Sequence, residues 1–268
     1  WPARSPARSW TAAALCRFGL PAQDVESAGG QAQGEGAGGR AQGQDASGQT
    51  QGEGRLSMAR RYTRAEFLQR LRAEIARGKP LLMTGAGNGI AAKFIERGGV
   101  DILGVYNTGY FRMQGYGSLT GMLPMADANE MVYQVGKREV LPQVKQTPVI
   151  AGLNGVDVLR DMRLFLEDIR HIGFSGVHNF PTVAWFDGEF RKTLEGTGLG
   201  YQMEVDMLNI ARELDLLTIG YAFNEQDTER LMKEAAPDVS IFHAGITRGG
   251  STGYAAGRSL EDMARRTQ

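Results

Sequence analysis

Five asparagines and one histidine close short apolar runs in this chain: Asn88, Asn107, Asn154, Asn179, Asn224 and His243. If those runs are parallel strands, the six residues stand at the strands' C-terminal ends. In a (β/α) barrel such ends converge on one mouth, where this fold carries its active sites. An open doubly wound sheet would gather fewer of them around one point. Asparagine also favours turns and helix N-caps. Asn224 before Glu225, Gln226 and Asp227 reads as a cap, and Asn88-Gly89 and Asn154-Gly155 read as turns. Asn107 and Asn179 are the stronger functional candidates, because long irregular connections are expected to follow them.

The three histidines separate by position. His171 falls at the end of a helical pattern before the fourth apolar run, on the side away from the mouth, where a cationic or capping role is expected. His178 and His243 end apolar runs and are candidate general acids or bases near neutral pH. The alternative for each is a hydrogen-bonded structural histidine.

Two loops offer anion-binding groups. Gly245 to Gly253 includes Thr247, Arg248, Gly249, Gly250 and Ser251, a set of flexible backbone N–H groups, hydroxyls and one guanidinium suited to phosphate or carboxylate. Glycine-rich loops are common, so this signal is weak alone. The second loop, from Asn107 to Ala126, contains Tyr110, Arg112, Tyr116 and Ser118; its length suits a lid or binding loop, and Arg112 suits a carboxylate clamp. No apolar run ends in Asp or Glu, so strand-end carboxylates do not support a divalent metal. Asp157, Asp187 and Glu189 lie nearby in sequence and leave a divalent metal open, but they read more simply as solvated loop charges.

The elements that must position these groups are legible as a pattern. Thr63 or Arg64 to Arg77 spaces Phe67, Leu68, Leu71 and Ile75 as a helix, with Thr63 and Glu66 forming a capping box; it is expected to lie across the barrel bottom. Six apolar runs follow: 81–84, 102–106, 149–153, 176–178, 217–223 and 239–243. Each precedes a segment of helical period, at 90–97, 128–144, 158–172, 201–214, 225–235 and 260–267. Continuous apolar strands alternating with amphipathic helices indicate an α/β fold with a helix-covered parallel sheet.

Lys and Arg balance Asp and Glu at 30 each, which argues against a polyanion-binding surface and hence against nucleic acid. No apolar run reaches the length of a membrane span. The one cysteine, Cys16, excludes a disulfide framework and a cysteine-based zinc site, and a reducing, cytoplasmic setting fits. Residues 1–57 hold a Gly-, Gln- and Ala-rich stretch with no strong apolar residue from Gly29 to Arg55, and are expected to be a disordered extension. Arg4, Arg8 and Arg17, with no acid before Asp24, also suit an organellar transit peptide; the alternative is sequence upstream of a start at Met58.

Several long segments are specific together. Tyr106-Asn107-Thr108-Gly109-Tyr110-Phe111-Arg112-Met113 with Gly117-Ser118-Leu119, residues 176–183, residues 195–201, and His243 to Thr247 with Gly249-Gly250 resemble the phosphoenolpyruvate hydrolase-like family. The resemblance spans residues 58–268 and implies a TIM (β/α)8-type barrel of the phosphoenolpyruvate/pyruvate superfamily. It implies hydrolysis of a small phospho- or phosphono-2-oxo acid such as phosphoenolpyruvate or phosphonopyruvate. In that reading His243 and His178 transfer protons. Asn107, Arg112, Ser118, Asn154 and Asn179 bind the carboxylate and carbonyl, while Thr247, Gly249, Gly250 and Ser251 hold the anionic group. The chain departs from the metal-dependent lyases of that superfamily in lacking their carboxylate-rich strand ends. Because six units are readable where the fold takes eight, the chain is expected to be a barrel truncated after six units and inactive as a fragment, with an intact six-unit fold as the alternative. The expected partner is a small anionic substrate, without nucleic acid or membrane; self-association into a homo-oligomer stays open. A non-catalytic small-anion-binding or regulatory barrel, or a lyase on a related small acid, is the alternative.

Overall fold

The computed structural model describes residues 59–246, 254 and 257–266. The expectations for residues 1–57 and for Thr247, Arg248, Gly249, Gly250 and Ser251 lie outside the described residues.

Helix α1 (Arg64–Ala76) begins at the anticipated capping box, with Thr63 Oγ1 accepting from the Glu66 backbone and Glu66 accepting from the Thr63 backbone. Six strand-helix units follow. The strands are β1 (Met83–Gly85), β2 (Ile102–Val105), β3 (Val149–Leu153), β4 (Gly176–Asn179), β5 (Leu217–Ala222) and β6 (Val239–Phe242). All pair in parallel with their sequence neighbours, in the order β1-β2-β3-β4-β5-β6. That order is the curled, singly wound progression of a TIM-type barrel, in contrast to the reversal of a doubly wound sheet.

The covering helices are α2 (Gly89–Arg97), α3 (Asn107–Met113), α4 (Ala128–Val135), α5 (Met162–His171), α6 (Gly188–Gly196), α7 (Tyr201–Glu213), α8 (Glu225–Arg230) and α9 (Leu260–Arg266). Three differ from the pattern reading. The single helix expected over 128–144 is α4 followed by a π-helical turn, Gly136–Val140, and the helix expected over 225–235 is α8 followed by another, Leu231–Ala235. A Cβ on Gly136 would overlap the Phe174 ring, so the backbone of the first turn packs directly against that ring. The helix expected from residue 158 starts at Met162, because Asp161 caps it by accepting from Leu164 N at 3.1 Å.

Alternation along the strands creates two cores. Leu103, Val105, Ala151, Leu153 and Val177 face the helices. Ile102, Ile150, Leu217, Ile219, Val239 and Ile241 face inward, where Phe67 and Leu71 of α1 pack among them. Full burial of Phe67 contributes about 1.5–3 kcal/mol. Polar ties fix α1 as the barrel's floor. Arg64 binds Asp238 bidentately at 2.5–3.0 Å, and Tyr62 Oη donates to Gln146 O at 2.6 Å. Asp238 also accepts from Thr218 N, and each of these partners lies beside the N-terminal end of a strand. The opposite ends of the strands are left to carry chemistry.

Candidate functional site

His178 is the last inward-pointing residue of β4. Its ring meets the edge of Tyr106 at 4.5 Å between centroids, lies 5.1 Å from Tyr221 and stacks on Phe180 at 6.2 Å. It is fully buried, and neither Nδ1 nor Nε2 has a hydrogen-bond partner among the described residues. A neutral imidazole carries one donor and one acceptor, and each left unmet costs about 1–3 kcal/mol. Burial in this apolar enclosure depresses the His178 pKa to about 3.

His243 follows β6 and stacks on Phe223 at 4.8 Å, with Trp185 5.3 Å and Tyr221 6.1 Å away. Tyr221 therefore touches both histidines. Gly245 N donates to His243 Nδ1 at 3.2 Å, which makes Nδ1 the acceptor and places the proton of the neutral ring on Nε2. Burial holds its pKa below the usual value. Both imidazoles are thus neutral at pH 7 within one aromatic cluster.

The asparagines divide differently from the expectation. Asn88 and Asn224 are N-caps, accepting from Ala91 N and Asp227 N. Asn154 accepts from Val156 N in a turn, and its own backbone is bracketed by Asn129. Asn107 and Asn179, the two stronger candidates, have their amides committed to the backbone. Asn107 donates to Gly121 O at 2.8 Å and accepts from Thr108 N. Asn179 accepts from Tyr221 N at 2.6 Å and donates to Tyr221 O and to Glu204. The reason is the pleat: His178 points inward, so Asn179 points out toward the helices. The loop expected to be irregular from Asn107 folds into α3 and a 3-10 segment, Ser118–Met122. Arg112 sits in the last turn of α3, exposed and with no ion pair among the described residues, and Ser118 is exposed as well.

The sequence reading missed Glu204 and Tyr106. Glu204, in the first turn of α7, is fully buried and accepts from Asn179 Nδ2 (2.6 Å), Thr182 Oγ1 (2.7 Å) and Val183 N (2.7 Å). Burial pushes its pKa up to about 7 against the pull of those three donors. It anchors the connection that brings Phe180 and Trp185 to the two histidines. Nothing in a helical pattern marks such a carboxylate, since a glutamate in a helix's first turn is ordinary.

A family model described as phosphoenolpyruvate hydrolase-like matches residues 66–268. The chain belongs to the phosphoenolpyruvate hydrolase-like family. Among family relatives, the ToMV resistance protein Tm-1(GCR237) of Solanum lycopersicum is 49% identical over 199 residues, covering 74% of this chain and 26% of that protein. The ToMV susceptible protein tm-1(GCR26) of the same plant gives the same identity and coverage. The chain thus spans about a quarter of the length of the curated relatives it matches. Among solved structures, a 2,3-dimethylmalate lyase of the PEP mutase/isocitrate lyase superfamily superposes with a TM-score of 0.45 at 15% identity, covering 68% of this chain and 63% of that one.

Two features of the site bear on ligands of this family member. Among the described residues no group of three or more His, Cys, Asp or Glu is placed to share a metal ion. Glu204 has both carboxylate oxygens taken by donors. No described helix is long and apolar enough to cross a membrane.

Proposed function

We propose that this barrel hydrolyses a small phospho- or phosphono-2-oxo acid, phosphoenolpyruvate or phosphonopyruvate, to pyruvate and phosphate. The observation that carries the reading is the pair of neutral imidazoles, His178 and His243, joined through Tyr221 at the C-terminal side of the sheet. Membership of the phosphoenolpyruvate hydrolase-like family supports it.

The two rings suit different tasks. His243, half-buried, is the base; His178, sealed and barely basic, is a hydrogen-bond donor to the oxo group. A neutral imidazole N–H stabilises negative charge on oxygen without giving up its proton. In phosphonopyruvate hydrolysis, the oxygen of water bonds to phosphorus as the P–C bond breaks, and His243 Nδ1, released from the Gly245 N–H, takes the proton from that water. The released electron pair becomes the enolate of pyruvate, whose oxygen accepts from His178. The proton on His243 then returns to the enolate carbon. With phosphoenolpyruvate the P–O bond breaks and the same enolate forms. Arg112 and the 247–251 segment are the proposed holders of the carboxylate and phosphoryl groups. The residues described do not suit a hard cation, and no step is assigned to one.

Phosphate release from both substrates by the full-length protein tests this, using wild type, His243→Ala and His178→Ala. Loss of roughly 100-fold or more in His243→Ala is expected. Release undiminished in both variants refutes the assignment. A second reading, a non-catalytic small-anion-binding barrel, is favoured by the weak basicity of His178 and by the acid-poor mouth. It predicts calorimetric binding of phosphonopyruvate without turnover. Carbon-carbon cleavage products would instead indicate a lyase.

A further inference from the structure

Inward positions of barrel strands are ordinarily filled by branched side chains stacked in layers. Three successive strands here carry glycine instead: Gly85 on β1, Gly104 on β2 and Gly152 on β3. One ring takes up the space. A Cβ on Gly85 would lie 2.8 Å from Tyr106 Cε2, and one on Gly104 would overlap the Tyr106 hydroxyl. A Cβ on Gly152 would overlap Tyr106 Cδ1 and lie 2.8 Å from His178 Nε2. Real side chains do not approach this closely, so these glycines are tied to the presence of the Tyr106 ring beside His178.

That ring belongs to no strand. Tyr106 is the residue after β2 and the N-cap of α3, so its phenol enters the barrel from the mouth. Glycine in a strand interior weakens the strand, and a chain selecting only for core packing would fill the layer from the strands themselves. A packed core would also not leave His178 with two buried nitrogens that have no partner among the described residues, one of them facing the same space.

We infer that the space lined by Gly85, Gly104, Gly152 and His178 is a ligand subsite for the flat 2-oxo-carboxylate part of the substrate, with Tyr106 as its resident plug and specificity-determining residue. The inference deepens the function proposed above and rests on it for the ligand class. Pyruvate and a phenol ring are both flat and of similar size, and pyruvate supplies the oxygen acceptors that His178 lacks. The ring leaves as the ligand enters. Because the Asn107 amide is tied to Gly121 O at 2.8 Å, α3 and the segment up to Gly121 shift with it. A plug of this kind lowers apparent affinity by the fraction of molecules in which the subsite is open, and removing it restores that fraction.

Calorimetric titration of the full chain with sodium pyruvate tests the inference. Tyr106→Ala is expected to bind roughly tenfold or more tightly than wild type, while Tyr106→Phe binds as wild type. The gain is expected to vanish in Tyr106→Ala/His178→Phe. A folded Tyr106→Ala that binds pyruvate no better than wild type overturns the inference, as does a gain that survives loss of His178. If Tyr106→Ala fails to fold, Tyr106→Val is titrated in the same way. Failure of both to fold also overturns it, because a ring indispensable for folding is core. Absence of phosphate release in the wild-type protein would sink the hydrolase reading while leaving this binding pattern intact. Phosphate release without the pyruvate gain would sink the subsite alone.

Discussion

Glu204 and Asn179 share a hydrogen bond of 2.6 Å in the layer between sheet and helices, and through it α7 sets the geometry of the β4 end. Asn179 passes the constraint to β5 by bonding both the N–H and the C=O of Tyr221. Tyr221 in turn contacts both histidine rings. Replacing Glu204 with Ala strands the Asn179 amide, the Thr182 hydroxyl and the Val183 N–H in a buried site. The expected loss is about 3 kcal/mol of unfolding free energy in urea, with a shifted Trp185 indole resonance reporting the displaced loop. Unchanged stability would show that the network carries no weight.

Two buried groups give opposite pH dependences. His178, depressed from 6.5 to about 3, stays neutral in the folded chain while the unfolded chain takes up a proton. Its contribution is therefore present above pH 6.5 and is lost as pH falls toward 3, by up to about 1.4 kcal/mol per pH unit. Glu204, raised from 4.5 to about 7, binds its proton more tightly when folded. That contribution is present below pH 4.5 and is lost as pH rises toward 7. The two oppose each other between pH 4.5 and 6.5. Urea unfolding at several pH values is expected to show a shallow wild-type profile there. His178→Phe should become relatively more stable toward acid, and Glu204→Gln relatively more stable toward neutral pH. Parallel profiles for all three proteins would refute the linkage.

Gly152→Ala brings a methyl group against both Tyr106 and His178 Nε2. Overpacking at this point is expected to cost about 1–3 kcal/mol, read as a lowered Tm. Gly196→Ala, where a Cβ meets nothing within 4 Å, is the control and should leave Tm nearly unchanged.

The floor of the barrel is expected to depend on Asp238. Its side chain is 3% exposed and receives Arg64 together with Thr218 N and Oγ1. Asp238→Ala leaves Arg64 and the Thr218 donors unpaired, and a loss of about 3 kcal/mol in urea unfolding is expected. The exposed Arg163–Glu213 pair bridges α5 and α7 but stands in solvent. Arg163→Ala should be indistinguishable from wild type in the same measurement. Equal effects from the two substitutions would contradict this account.

Hydrophobic period and strand-helix alternation determined a helix-covered parallel sheet from sequence, and the polar strand ends with the family resemblance pointed to the barrel. The α1 capping box and the cap at Asn224 follow from local chemistry that neighbouring residues complete, while Asn88, read from sequence as a turn, is the N-cap of α2. The positions of His178 and His243 at strand ends were legible for the same reason. Which side chains share a space was not. Asn179 and His178 are adjacent in the chain but face opposite sides of the sheet, and the pleat gives Asn179 to Glu204 and His178 to the barrel interior. The π-helical turns at Gly136–Val140 and Leu231–Ala235 arise from packing, as at Gly136 against Phe174, where periodicity is silent. Glu204 and Tyr106 acquire their meaning only when distant glycines, hydroxyls and backbone groups are folded around them. A buried charge or a ring in a glycine layer is a property of its surroundings, and those are assembled by tertiary contacts alone.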